Sequence, residues 1–168
     1  MAMTQCRECQ QGVSTEATAC PRCGAPMPAD GTWGGTGYEW KSAATFAGVP
    51  WVHVAWGRDA RGRRRVAKGV VAVGQYAVGA VTIAQFGVGI LFGFGQFVAG
   101  LTAVGQFALG VYAGLGQFTS GEVAIGQFAV GVWVLAQVGL GRHVWSVGRK
   151  DPEAIEYFRQ LAEQFGLL

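Results

Sequence analysis

Between Val70 and Gly141 a small residue returns at nearly every fifth position, and this spacing constrains the fold more than any other feature of the chain. The small residues are Gly74, Gly79, Ala84, Gly89, Gly95, Gly100, Gly105, Gly110, Gly116, Gly121, Gly126, Gly131, Ala136 and Gly141. Two residues after each of the first thirteen stands Tyr76, Val81, Phe86, Leu91, Phe97, Thr102, Phe107, Tyr112, Phe118, Val123, Phe128, Trp133 or Val138. The plainest unit is GQFAV: small, variable, bulky apolar, mostly small, usually apolar.

An α-helix does not suit this period, because each step of five rotates about 140° past a full turn and scatters the glycines around the axis. Each glycine would also cost roughly 1 kcal/mol against alanine. A single long strand fails as well, since an odd period changes face at every repeat. A chain that turns a corner every five residues satisfies both constraints. The expected fold is mainly β: a four-sided β-helix, with the small residue and the bulky one two later pointing inward. The opposite phase, with the aromatic columns outside, stays open; in either phase rows of large apolar side chains face outward.

The period slips twice, from five to six, at Gly89 to Gly95 and at Gly110 to Gly116. The slips lie 21 residues apart, which is four units plus one. A coil of about 21 residues would stack one insertion on the other at the same corner. It would also align Gln75, Gln96, Gln117 and Gln137 in one column, with Gln85, Gln106 and Gln127 in another on the opposite side. Stacked amides can hydrogen-bond as a ladder. Units that bury their core only against neighbours are what a solenoid requires.

The stretch resembles the pentapeptide-repeat β-helix, in which a small residue and a bulky apolar one fill the interior. More closely it resembles a group of uncharacterised bacterial proteins that read YEYKS, GxPLxHI, a basic turn and ARGIIAIG, against YEWKS, GVPWVHV and AKGVVAVG here. That resemblance covers roughly 38–141 and departs from the group at Trp51, where Leu is usual. It brings no assigned activity, and it implies a bacterial membrane protein.

Composition points the same way. The chain has 168 residues, 28 of them glycine, with 51% hydrophobic and 14% charged residues, against roughly 25% charged in ordinary domains. Glu122 is the only charge between Val70 and Gly141. Soluble monomers rarely expose apolar patches beyond a few hundred Å², so the outward rows must meet lipid or protein. Lipid is the first expectation, with anionic headgroups held by Arg58, Arg61, Arg63, Arg64, Arg65 and Lys68. These are six of the thirteen basic residues. A 21-residue coil leaves a difficulty, however: the stretch would be only ~16 Å long, against a ~30 Å hydrocarbon core. The alternatives are a soluble self-assembling β-solenoid and three Gly-rich transmembrane helices. Nucleic acid is disfavoured because the basic cluster lacks interleaved aromatics.

All four cysteines lie near the N-terminus, as Cys6-x2-Cys9, ten residues, and Cys20-x2-Cys23. Two such knuckles bring four thiolates to one tetrahedral ion, the arrangement of a structural Zn2+. The stretch CRECQQGVSTEATACPRCGAP resembles the short zinc ribbons at the N-termini of many bacterial membrane-associated proteins, which implies a docking or spacing module. MAMTQCRECQQ lacks the basic and apolar segments of a signal peptide, so the ribbon is expected on the cytoplasmic side of the bacterial cytoplasmic membrane.

The expected organisation is a zinc ribbon at 1–26, a linker at 27–37, a β-hairpin cap with a basic tip at 38–69, the apolar β-helix at 70–141, and a C-terminal segment with an amphipathic helix at 142–168. Asp151 is the expected N-cap, Pro152 the first helical residue, and Ile155, Phe158, Leu161, Ala162 and Phe165 the apolar face. His53 reads as a packed or hydrogen-bonded histidine. No paired carboxylates, activated nucleophile or phosphate loop can be assembled, so a non-enzymatic, oligomeric membrane protein is expected, with a role as scaffold or as a solute or ion pathway. No small-molecule substrate is specified.

Overall fold

A computed structural model describes residues 2–166 and is mainly β, with one C-terminal helix. A short hairpin, β1 (Met3–Gln5) with β2 (Gly12–Ser14), opens the chain. β3 (Gly35–Lys41), β4 (Thr45–Phe46), β5 (Val49–Pro50) and β6 (Val52–Asp59) follow. Then comes β7, an uninterrupted extended stretch from Ala67 to Trp145, and α1 (Pro152–Gln164) closes the chain.

The helical alternative for 70–141 is overturned, because every residue of that stretch lies in β7. Among the described residues no helix is long and apolar enough to cross a membrane.

Contacts within β7 recur at ten and eleven residues, half the expected 21. Tyr76, Phe86, Phe97, Phe107, Phe118 and Phe128 form one column of parallel rings with centroids 4.6 to 5.4 Å apart. The steps of eleven, Phe86 to Phe97 and Phe107 to Phe118, are the ones that contain the two slips. Residues two five-residue units apart, not four, therefore lie beside one another. At both slips the extra residue folds the backbone tightly: a Cβ on Gly89 would overlap the Phe92 carbonyl, and one on Gly110 would overlap that of Ala113. The insertions recur on every second pass.

The phase is also the reverse of the first expectation. The aromatic column is exposed, and the buried position is the fourth of the unit. Ala67, Ala72, Ala77, Thr82, Val98, Ala103, Ala108, Thr119, Ala124, Ala129, Val134 and Val144 all lie inside. These buried residues are Ala, Thr and Val, and none of them is larger than valine. Ala103 and Ala108 are 0% exposed whereas Phe107 is 38% exposed.

The first-position glycines serve backbone approach. A Cβ on Gly105, Gly116, Gly126 or Gly131 would overlap the carbonyl oxygen of Gly95, Gly105, Gly116 or Gly121, ten or eleven residues earlier. Gly116→Ala is accordingly expected to destabilise the chain by about 3 kcal/mol or more, since a clash with backbone cannot be relieved by a rotamer change. Gly148→Ala, with nothing within 4 Å of the added carbon, is its control. Thermal unfolding of the two variants checks the difference.

The expected hairpin around GRDARG is confined to its tip, where the Asp59 N–H donates to the Arg63 carbonyl at 2.8 Å and the Arg65 N–H to the Gly57 carbonyl at 3.0 Å. The antiparallel partner of β6 is β3, in the register Gly35↔Asp59 to Lys41↔His53. On its other edge β6 pairs in parallel with the start of β7, Val52↔Val71 to Ala55↔Gly74. The basic turn makes the crossover. Asp59 organises it: Oδ1 accepts the backbone N–H groups of Arg61 and Arg63, each at 2.9 Å. Its carboxyl is held below the usual range, first by the Arg63 N–H.

α1 packs on the far end of β7. Tyr157 stacks on Trp133 at 4.4 Å, and His143 stacks on the same indole at 4.3 Å. Ala154 and Phe158 are buried; of the other residues expected on that face, Ile155, Leu161 and Ala162 are half-buried and Phe165 is exposed. Asp151 stands at the N-cap but its side chain serves the sheet instead of the helix, as Oδ2 accepts the Val144 N–H at 2.8 Å. The Arg149 guanidinium donates to the end carbonyls of Gly141 and Arg142 at 3.3 and 3.1 Å. The last pass of β7 is thus partly capped by polar side chains.

Candidate functional site

The two cysteine knuckles are built alike. In each, the first cysteine's N–H donates to the carbonyl five residues on, Cys6 to Gln11 at 2.8 Å and Cys20 to Ala25 at 2.9 Å. Its own carbonyl accepts the N–H four residues on, from Gln10 or Gly24, both at 2.9 Å. The turn then needs a left-handed residue after the second cysteine, and Gln10 (φ 60°) and Gly24 (φ 74°) take that conformation. These turns aim all four sulfurs at one point.

The four Sγ atoms lie within 4.8 Å of one another, with Cys6–Cys23 at 3.8 Å and Cys9–Cys20 at 3.7 Å. All four are free thiols. Four sulfurs at the ~2.3 Å Zn–S distance around a tetrahedral ion stand about 3.8 Å apart, so the cluster could hold a metal ion and its dimensions are consistent with zinc. Backbone N–H groups of Cys23, and then Arg22, bring the Cys20 thiol down to about 6. The Ala25 N–H pulls Cys23 the same way, but desolvation and the neighbouring cysteines outweigh it and push that thiol up to about 12. Four thiolates do not share this space without a cation.

The cluster is tied to the rest of the chain. Arg7 donates to the carbonyls of Pro26 at 2.7 Å and Met27 at 2.8 Å, and its other nitrogen reaches the Ala60 carbonyl in the basic turn. Cys23, Gly24 and Arg61 line one small surface pocket between the two. This contact, 53 residues apart in sequence, had no signal in the cysteine spacing.

The six basic residues divide by environment. Arg63 pairs with Asp59 at 3.0 Å, and Arg65 pairs with Glu39 and donates to the Gly34 carbonyl. Arg64 lies over the Tyr76 ring, 5.1 Å from its centroid, at the start of the aromatic column. Among the described residues Arg58, Arg61, Arg64 and Lys68 have no carboxylate partner. His53 is buried, and its Nδ1 accepts the Lys68 backbone N–H at 2.7 Å. The imidazole therefore ties β6 to the crossover, the hydrogen-bonded role its sequence context suggested.

Between these cations and the far end, β7 exposes large apolar side chains along its length. They include Val78, Ile83, Val88, Ile90, Phe94, Leu109, Val111, Leu115, Val130 and Leu140, besides the aromatic column. The glutamines Gln75, Gln85, Gln96, Gln106, Gln117 and Gln127 each immediately precede a ring of that column, and Gln137 precedes Val138 one pass further on. They form one exposed column, where two opposite columns were expected. Phe94 and Ile83 border this column, lining one open groove with Gln85, Gln96 and Gln106.

No family model, curated protein or solved structure matches the chain.

Proposed function

We propose that residues 67–145 form a two-sided β-solenoid of ten or eleven residues per turn that is embedded in a membrane, and that the protein is a non-enzymatic scaffold or solute or ion pathway. In this reading Cys6, Cys9, Cys20 and Cys23 hold a structural Zn2+ on the cytoplasmic side. The apolar band on β7 is the observation that carries it. Rows of exposed Val, Ile, Leu and Phe run the length of the stretch, with Glu122 as the sole charge between Val70 and Gly141.

The shorter turn removes the difficulty of length. Seven passes at ~4.8 Å make about 34 Å, close to the ~30 Å hydrocarbon core. Cations stand at both ends, Arg58, Arg61, Arg64 and Lys68 at one and Arg142 and Lys150 at the other, where headgroup phosphates would meet them. A solenoid pairs its backbone between passes and leaves only the two ends open, which suits a medium without hydrogen-bonding partners. Here β6 covers one end, and Arg149, Asp151 and α1 lie at the other. The interior column of Ala, Gly, Thr and Val leaves no lumen, so any pathway would run between subunits.

Membrane fractionation with an alkaline carbonate wash tests this reading. The expected result is retention in the washed pellet and release by detergent alone. Recovery as a discrete soluble oligomer would overturn it and leave the soluble self-assembling solenoid as the reading of the same surface.

A further inference from the structure

The glutamine column is the one polar feature that follows the apolar band through its whole length. A primary amide has two N–H donors and an oxygen with two lone pairs. Amides one pass apart can bond along the axis as a ladder, which uses one donor and one acceptor of each. Such a ladder would leave the second N–H of every glutamine without a partner on the chain. Seven such groups facing hydrocarbon would have no partner, and each would carry a desolvation cost. The corresponding position on the other five-residue unit of each turn is apolar at most passes, including Ile90, Leu101, Val111 and Val132, with one carboxyl at Glu122 and Arg142 at the end. One carboxyl against seven amides leaves that side better suited to lipid than the glutamine side.

Whatever covers the glutamine column must offer acceptors and donors at the pitch of one pass, extend over the same length and bring no charge. A second copy of this chain meets all three conditions. Its own column has the same pitch, the same alternation of ten and eleven, and amides that are donor and acceptor at once. A two-fold axis parallel to the solenoid places Gln96 near Gln96 and Gln106 near Gln106, so the contact is self-complementary along its length. The flanking rings, from Tyr76 to Phe128, then close over the amides and exclude lipid.

We infer that the glutamine column is the interface of a parallel homodimer, sealed by the aromatic column beside it. The side it assigns to the partner rests on the membrane reading above.

The test uses the full chain in its expressing membranes, with a benzophenone side chain placed at Gln106 or, on the opposite side, at Val111. Irradiation is expected to convert the Gln106 protein to a species of twice the chain mass on a denaturing gel and to leave the Val111 protein monomeric. The triple variant Q96L/Q106L/Q117L, probed from Gln127, is expected to lose that species while remaining folded, because all three side chains are exposed. A dimer band from Val111 in place of Gln106, adducts of Gln106 with lipid or with a different protein, or an undiminished dimer in the triple variant would each overturn the proposal. Carbonate extraction of the same samples keeps the two readings apart. Release into the wash defeats the membrane reading alone, whereas retention without a Gln106 dimer defeats the interface alone.

Discussion

Ala103→Leu is expected to abolish folding, whereas Leu109→Ala is expected to change stability by less than about 0.5 kcal/mol. Ala103 is 0% exposed and packs with Val98 and Ala108 in the interior of β7; Leu109 is 59% exposed. The interior has no slack: an added carbon on Gly139 would stand 2.7 Å from Val134 Cγ1 and 2.9 Å from Val144 Cγ1. Three extra carbons at Ala103 must displace Val98, Ala108 and the backbone that carries them, so the cost exceeds the ~1–3 kcal/mol usual for overpacking. That is a large part of the ~5–15 kcal/mol available to a domain. Circular dichroism and resistance to protease of the two purified variants measure the contrast. If Ala103→Leu folds normally and Leu109→Ala does not, the inward face has been assigned to the wrong positions.

Removing the metal is expected to unfold the N-terminal knuckles while β7 persists. The apolar core there amounts to Cys6, Val13, Cys20 and Ala25, far too little to hold the segment. Metal binding in such modules supplies apparent free energies of ~10–16 kcal/mol at neutral pH. Cys20→Ser should reproduce the effect of a chelator. Trypsin reads the result at Arg7, whose guanidinium is engaged by the Pro26, Met27 and Ala60 carbonyls in the folded chain. Cleavage after Arg7 should appear only when the metal is gone. Bound metal should also decline as pH falls, because protons compete for the thiolates. The observations that defeat this account are purified protein without stoichiometric metal, or continued protection of Arg7 in chelator.

Several features were legible in the sequence because they depend on local chemistry. Two CxxC knuckles imply one four-sulfur centre, and the sulfurs converge as that spacing requires. Asp151 followed by Pro152 predicts the start of α1, and the helix begins there. The five-residue period excludes helix and flat strand alike, and β7 is extended throughout.

A further signal lies in the range of side-chain sizes at each position of the unit. Outside the slip at Gly89, where Phe92 is fourth, the fourth position of the unit does not exceed valine in size, while the third ranges from threonine to tryptophan. The position with the narrowest range of volumes is the one confined by close packing. By that rule Ala103 and Ala108, and not Phe107, are the inward residues, as their burial shows.

The length of the turn is different in kind. Slips 21 residues apart fit one wide coil of four sides or two narrow turns of two sides equally well, because both return the insertion to the same corner. The sequence by itself determined that 70–141 is extended and not helical, that large apolar side chains face outward, and that four thiols share one site. Tertiary contacts decided which residues become neighbours, ten or eleven apart and not 21, because that spacing depends on how near the backbone can approach itself. Small residues in the fourth position and glycine in the first allow that approach. The phenylalanines were thereby excluded from the interior, and the seven glutamines were gathered into one column.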